Sequence, residues 1–370
     1  MSKSKMLVGI ITINDYANYG NRLQNYALNQ LLGGNEKCTT VYMDTKRSNF
    51  FDYYFRPPIR FFKKVSFMFF ALFSESKRLE VYRKKKGVFF TKKYSPDDLF
   101  SLTAYKGLKS AADESLRCIV IGSDQVWNDR WIDKKELACR LGSFAFSKQP
   151  VISYAASFGL SEVDQTSIPI FQKYLPRLKA ISVREDRGMA LVGEMTGLNA
   201  AVVLDPTLML TSNKWIEIFE GFVPDDDEYV LTYFLGRPSD EQERDIQAYA
   251  KAHGCRVRRI LDLRDKETYV AGPQDFVELF SKAQYVFTDS YHACCFSILF
   301  HTQFTVFNRA GMTGKSSMNS RMETLFRLFD LDSVMMDSGL APEIDYAKVD
   351  RLLEQHRRES RDWLDKAMKE

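Results

Sequence analysis

At about 150 residues per domain, a chain of 370 residues has room for two or three, and 45% hydrophobic residues supply the cores. The formal net charge of +4 argues against the dense basic face of a nucleic-acid binder, so no nucleic acid is expected as a partner. Six cysteines with no CxxC pair argue against a structural metal site or a disulfide framework and point to a reduced, cytoplasmic protein.

The opening MSKSKMLVGIITI reads as a first strand. Its apolar run is short and no small-residue cleavage site follows, which is not the pattern of a signal peptide. A polar loop follows over 14–21, then a helix over 20–32 with Leu23, Tyr26, Ala27 and Leu31 on one face and a stop at Gly33. Gly20 would let the backbone approach a ligand, and the new helix start offers N–H groups to an anion. Without a P-loop or a GxGxxG run, an ordinary βα turn is an equal reading.

After the strand TTVYM the alternation breaks. Residues 50–94 are aromatic and basic (FFDYYFRPPIRFFKKVSFMFFALF, then RLEVYRKKKGVFFTKK) and read as an insertion into the first domain. The apolar stretch within it, VSFMFFALF, is about half the length that a bilayer span needs.

The next strand, CIVIG, delivers Gly122, Ser123 and Asp124 to its carboxyl end, where open α/β sheets bind ligands. Asp124 could instead cap a helix. VISYAA, AISV, AVVLD, YVLTYFL, CRVRRI, YVFTD and FTVFN continue as strands, with helices at 163–174, 213–219, 240–253, 273–281 and 291–301. Such alternation predicts parallel sheets in βα units. Two sets of strands, one before about residue 160 and one after about 175, predict two doubly wound Rossmann-like domains over 1–165 and 175–340. The segment 341–370 predicts an amphipathic helix packed on one of them, with Val349, Leu352, Leu353, Trp363, Leu364 and Ala367 at helical spacing.

Arg184 directly follows AISV, placed to meet a carboxylate or phosphate in bidentate fashion, or to form a surface pair with Glu185. In YVFTDSYHACCFSILF, Asp289 or Ser290 is a good N-cap, so His292 lies in the first helical turn. The helix dipole there should lower its pKa and favour a neutral imidazole, able to move a proton during chemistry on an anionic substrate. A packed histidine is the plainer reading. His253, His301 and His356 read as surface or capping residues. No nucleophile elbow, HExxH or Walker sequence is present.

Taken in order, NYGNRLQNYALNQLL, IVIGSDQVWN, ISYAASFG, ISVRED, VLDPTLML and FTDSYHACCFSILF resemble the polysaccharide pyruvyl transferase family over roughly residues 7–310. The resemblance implies a GT-B-like pair of Rossmann-like domains facing a cleft. It implies transfer of the enolpyruvyl group of phosphoenolpyruvate to a sugar hydroxyl of a glycan or lipid-linked saccharide, forming a pyruvyl ketal. No cofactor is implied beyond phosphoenolpyruvate as donor substrate. His292 matches the family's cleft histidine, and Arg184 its anion-binding arginine after a second-domain strand. The loops Asn18, Tyr19, Gly20, Asn21 and Gly122, Ser123, Asp124 would line the cleft.

One departure stands out: Ser290-Tyr291-His292 replaces the Arg-Leu-His of well-studied members, so Ser290 stands where an arginine grips the donor. Arg309 or Arg321 would then supply the charge. The aromatic-basic segment would touch the inner face of the membrane and its lipid-linked acceptor, unless it packs on the domain or on a second subunit. A GT-B glycosyltransferase with a nucleotide-sugar donor and a non-catalytic polysaccharide-assembly protein are the alternatives. Acceptor sugar, ketal linkage and oligomeric state are not legible in the sequence.

Overall fold

The structure is a computed structural model and describes residues 7–43, 74–100, 116–145, 149–308 and 320–369. The first sheet has seven strands: β1 (Leu7–Ile11), β2 (Cys38–Met43), β3 (Asp97–Phe100), β4 (Leu116–Ile121), β5 (Val151–Ala156), β6 (Ala180–Val183) and β7 (Ala201–Val202). Their order is β3-β2-β1-β4-β5-β6-β7, and every pairing is parallel. Strands β1 and β5 are buried almost throughout, as in a sheet covered on both faces. The covering helices are α1 (Tyr19–Leu31), α2 (Glu75–Tyr94), α3 (Lys134–Arg140), α4 (Ile168–Tyr174) and α5 (Asp186–Thr196).

The short α6 (Pro206–Met209) and α7 (Ser212–Ile216) lead to the second sheet. It comprises β8 (Tyr229–Tyr233), β9 (Arg256–Ile260), β10 (Tyr285–Thr288), β11 (Gln303–Phe307) and β12 (Met335–Met336), in the order β12-β11-β10-β8-β9, again all parallel. Its helices are α8 (Asp240–Ala252), α9 (Lys266–Tyr269), α10 (Pro273–Lys282), α11 (Tyr291–Phe300) and α12 (Ser320–Phe329). The chain closes with α13 (Tyr346–Lys369).

Two separate parallel sheets with flanking helices give the expected two-domain α/β architecture, but the boundary differs from the expected one. The first sheet does not end near residue 165. Strands β6 and β7 extend it, through Ile152 beside Ala180 and Ser182 beside Ala201, so the chain crosses only after Val202. Periodicity marks β6 and β7 as strands but does not say which sheet they join, and they pair onto β5 past a register shift between Ser153 and Ala156.

The domains share one apolar core. From α1, Tyr19, Leu23, Tyr26 and Ala27 pack with Trp215, Phe276 and Phe296 on the second-domain side. The Tyr19 ring stacks on Phe276 at 4.9 Å, and its hydroxyl donates to the Ala271 carbonyl at 2.9 Å. On its other face α1 buries polar side chains that bond within the first domain: Gln24 donates to Thr12 Oγ1 at 2.8 Å, and Asn25 to Thr40 Oγ1 and Ser95 Oγ, each at 3.0 Å, while Gln24 Oε1 and Asn29 Nδ2 have no partner among the described residues. Helix α13 spans both domains rather than packing on one. Val349 and Leu353 join the shared core, while Leu364 and Ala367 pack with Val8, Ile10 and Tyr154 of the first sheet.

Of the aromatic-basic segment, residues 74–94 belong to the described residues and 50–73 lie outside them. Helix α2 is the connection into β3, and it reaches the second domain through Lys86–Asp275, Lys266–Glu75 and Lys93–Glu220.

Candidate active site

In an open α/β sheet, ligands bind where the strand order reverses, beyond the carboxyl ends of the strands. In the first sheet that point lies between β1 and β4; in the second it lies between β8 and β10. The two switch points face each other across a cavity of about 220 Å³. Ile13, Asp15 and Asn18 line it after β1, and Asp124, Gln125 and Trp131 after β4. From the second domain come Tyr233 and Leu235, Asp289 to His292, Asn308 and Arg321.

On the first-domain wall, Asn18 caps α1 by accepting from Asn21 N at 3.0 Å. Asn21 is buried behind it and donates to Asp124 Oδ2 at 3.2 Å. Asp124 sits at φ 70°, a left-handed conformation that Asp tolerates better than most residues. Its carbonyl accepts from Ser157 N at 3.0 Å, pinning the β4 loop to the end of β5. Gly122 and Ser123 build the wall from within rather than facing the cavity. A Cβ on Gly122 would lie 2.5 Å from Leu28 Cδ2, and Ser123 Oγ donates to Asp205 Oδ2 at 2.8 Å. Tyr19 is likewise absent from the lining and anchors the domain interface.

Arg184 departs furthest from expectation. It follows a strand of the first sheet, not the second, and its side chain is wholly enclosed. Its Nη1 donates to Asp205 at 2.6 Å and its Nη2 to Asp124 at 3.1 Å, with the Tyr291 ring 4.6 Å away. Burial lowers its pKa, but the Asp205 and Asp124 carboxylates outweigh this and raise it. With both terminal nitrogens taken and no face on the cavity, Arg184 is a structural cation rather than a donor clamp.

On the second-domain wall, Asp289 accepts from Leu235 N at 2.7 Å and Gly236 N at 2.9 Å, fixing the loop after β8. Ser290 occupies the N-cap of α11, but its side chain makes no capping hydrogen bond. The first N–H groups of a helix have no intrahelical acceptor, so this terminus is left open toward the cavity. The His292 ring rests on Gly20 so closely that a Cβ there would lie 2.0 Å from Nδ1. Its Nε2 has no hydrogen-bond partner among the described residues; Asp205 Oδ2 is 3.9 Å away. The His292 pKa is lowered as expected, though chiefly by burial; the Asp205 and Asp124 carboxylates offset this in part, and Arg184 and Arg321 add to it.

Arg321 reaches the same cavity from the first turn of α12. With the Gln125 amide turned so that its oxygen faces the guanidinium, that oxygen accepts from Nη1 at 3.0 Å and Nη2 at 2.9 Å. Burial and the neighbouring Arg184 lower the Arg321 pKa to about 10, with Asp124 and Glu185 opposing, so it stays a cation at neutral pH. Arg309 lies outside the described residues. His253 and His301 end α8 and α11 as C-caps, as expected for capping residues.

Three neighbours of the site escaped the sequence reading: Asp205, Gln125 and Trp131. Asp205 is the hub of the buried network. It accepts from Arg184, from Ser123, and from Thr207 N and Oγ1 at 3.0 and 2.8 Å. Burial would raise its pKa, but Arg184, His292 and the Thr207 bonds bring it below the ordinary value. A carboxylate ending the strand-like AVVLD was the available signal. Among the described residues, no group of three or more His, Cys, Asp or Glu could hold a metal ion.

Two Rossmann-like domains whose switch points meet across a cleft make this a GT-B-like α/β protein. The family model for polysaccharide pyruvyl transferase matches residues 18–311, and the chain belongs to that family. No curated protein sequence matches it. Among solved structures it is similar to a UDP-GlcNAc 2-epimerase from Neisseria meningitidis bound to UDP-GlcNAc, at 9% identity and a TM-score of 0.49, covering 98% of this chain and 93% of that one. A putative UDP-N-acetylglucosamine 2-epimerase from Listeria monocytogenes is similar at 12% identity and a TM-score of 0.48, covering 97% and 90%. The wall teichoic acid polymerase TagF is similar at 12% identity and a TM-score of 0.44, covering 99% and 83%. Among the described residues, no helix is long and apolar enough to cross a membrane.

Proposed function

We propose that this chain transfers the enolpyruvyl group of phosphoenolpyruvate to a glycan or lipid-linked saccharide at the cytoplasmic face of the membrane, leaving a pyruvyl ketal and releasing phosphate. The observation that carries the proposal is an uncapped helix N-terminus set beside a histidine of lowered pKa in one small cavity. Open helix amides suit an anion, and Arg321 adds a cation that Ser290 no longer supplies. Phosphoenolpyruvate offers a carboxylate and a phosphate to these groups. A volume of about 220 Å³ suits so small a donor better than a nucleotide sugar, since drug-sized ligands occupy pockets of roughly 300–1,000 Å³.

The reaction needs two acceptor hydroxyls. The oxygen of the first bonds to the carbon that bears the phosphate, while its proton passes to the methylene carbon, which becomes a methyl group. The oxygen of the second displaces phosphate, and its proton leaves with the phosphate. Neutral His292 is suited to take the first proton and hand it on.

The test is phosphate release from phosphoenolpyruvate with galactose- and mannose-bearing acceptors. His292→Ala should lower the rate by about 10²–10⁴-fold while leaving the donor's thermal protection largely intact. An active wild type matched by an active His292→Ala would make the ring a packing residue. Thermal protection by nucleotide sugars and none by phosphoenolpyruvate would instead make the protein a glycosyltransferase.

A further inference from the structure

The cavity has a polar floor and an apolar mouth. Asp124, Ser290, His292 and Arg321 form the floor. At the mouth stand Trp131 on the first-domain side, 60% exposed, and Leu235 on the second-domain side, 49% exposed. Both are among the few large apolar side chains that the described residues leave in water, and both line this one cavity. Trp127 and Trp215, by contrast, are fully buried. No core requires an indole at residue 131, because Ile132 beside it already packs into the first-domain core.

An exposed indole and a branched aliphatic chain lining one cavity fit a ring that presents one apolar face. The face of an aromatic ring carries negative charge density and attracts polarised C–H groups. A pyranose presents such C–H groups on one face and hydroxyls around its edge. Asp15 and Asn18, on the same rim, are exposed and line the cavity. Asp15 uses Oδ1 to accept from Ala17 N, and Asn18 uses Oδ1 to accept from Asn21 N, which leaves Asp15 Oδ2 and the Asn18 amide for hydroxyls. We infer that Trp131 and Leu235 form the acceptor subsite, which holds one pyranose ring stacked on the indole with its edge hydroxyls directed at Asp15 and Asn18 and toward the donor floor.

This inference rests on the proposed reaction for the word acceptor, but its test reads binding rather than turnover. Trp131 is the most exposed tryptophan among the described residues and Trp363 is partly buried, so the acrylamide quenching of wild type less that of Trp131→Ala reports on Trp131. Methyl galactoside, methyl mannoside and their short oligomers are titrated into the full chain, with saturation-transfer NMR on the sugars as a second readout. Bound saccharide should protect the emission from quenching. Trp131→Ala should weaken saccharide binding by about tenfold or more, while Trp131→Phe, which keeps a ring face, should stay within about threefold of wild type. Thermal protection by phosphoenolpyruvate should be the same in all three proteins. Equal saccharide affinity in Trp131→Ala and wild type, or no binding by any saccharide of the panel, overturns the subsite. Saccharide binding that depends on Trp131 without any phosphate release keeps the subsite and removes the donor chemistry.

Discussion

Arg184 gives both terminal nitrogens to carboxylates in a place that water does not reach, whereas Arg321 faces the cavity beside an amide. The two arginines should therefore fail in different ways. Removing Arg184 leaves Asp124 and Asp205 buried without their ion-pair partner, a change worth about 3–5 kcal/mol, so Arg184→Ala should chiefly depress the melting temperature. Arg321→Ala should melt close to wild type but bind phosphoenolpyruvate more weakly, by the roughly 1.5–3 kcal/mol of a charge-assisted hydrogen bond. Melting curves with a donor titration separate the two, and a normally stable Arg184→Ala with weak donor binding would reverse the assignment. His292 adds a pH signature. Its folded pKa lies below the ordinary 6.5, so as pH falls through 6.5 the unfolded chain takes the proton first and stability drops. Asp124, lowered to about 2 from 3.8, loses its contribution only as pH falls from about 4 toward 2. Between pH 7 and 5.5 the melting temperature of wild type should thus decline more steeply than that of His292→Asn; superimposed curves would contradict a depressed histidine.

Helix α2 shows how an element can be essential and still hard to read. Apolar and charged residues fall on all its sides, so the 3.6-residue stripe that marks a surface helix is missing: Phe90 is buried, while Tyr82 and Phe89 are exposed. What fixes it is contact at Gly87, where a Cβ would lie 1.9 Å from the Tyr16 carbonyl oxygen. A main-chain oxygen cannot swing aside, and Arg83 Nη1 donates to the Ala17 carbonyl at 3.0 Å one turn away. Gly87→Ala gains about 1 kcal/mol of helix propensity, while overpacking ordinarily costs about 1–3 kcal/mol, toward the upper end where the obstacle is main chain, so the balance should be a loss of up to about 2 kcal/mol. Denaturant unfolding should show a net loss, and an unchanged or raised midpoint would mean that the helix can shift freely. Elements with a strong local period were legible, namely the buried strands and α1, α8, α10 and α13, and α11 was legible from its dense apolar run. The domain boundary was not, because local periodicity marks β6 and β7 as strands without saying which sheet they join. In the site, Gly20 and His292 were legible as a glycine at a helix start and a histidine in a first turn. Their mutual contact was not, nor was the role of Arg184, since its partners Asp124 and Asp205 lie 60 and 21 residues away in sequence.

At the scale of the whole molecule, the question is whether the two domains move as separate bodies. Interfaces between domains of one chain are ordinarily modest and polar, and relative motion is the default. Here α1 of the first domain lies within the apolar core of the second, Tyr19 is fixed by a stacked ring and a buried hydroxyl bond, and α13 threads both cores. Separating the domains would expose Tyr19, Leu23, Tyr26 and Ala27 together with Trp215 and Phe276, and a fully buried large apolar side chain contributes about 1.5–3 kcal/mol. The expectation is that this apolar contact behind the cleft holds it at a fixed width and keeps His292 against Gly20 without a ligand. Multi-domain proteins commonly depart from two-state behaviour, which makes the expectation here a sharp one. Calorimetry should give a single transition whose calorimetric and van't Hoff enthalpies agree. Phosphoenolpyruvate, as the donor proposed for the site between the two switch points, should raise that whole transition by mass action. Two resolved transitions, or a donor-dependent shift confined to one of two, would show that the shared core does not couple the domains and that the cleft opens about it.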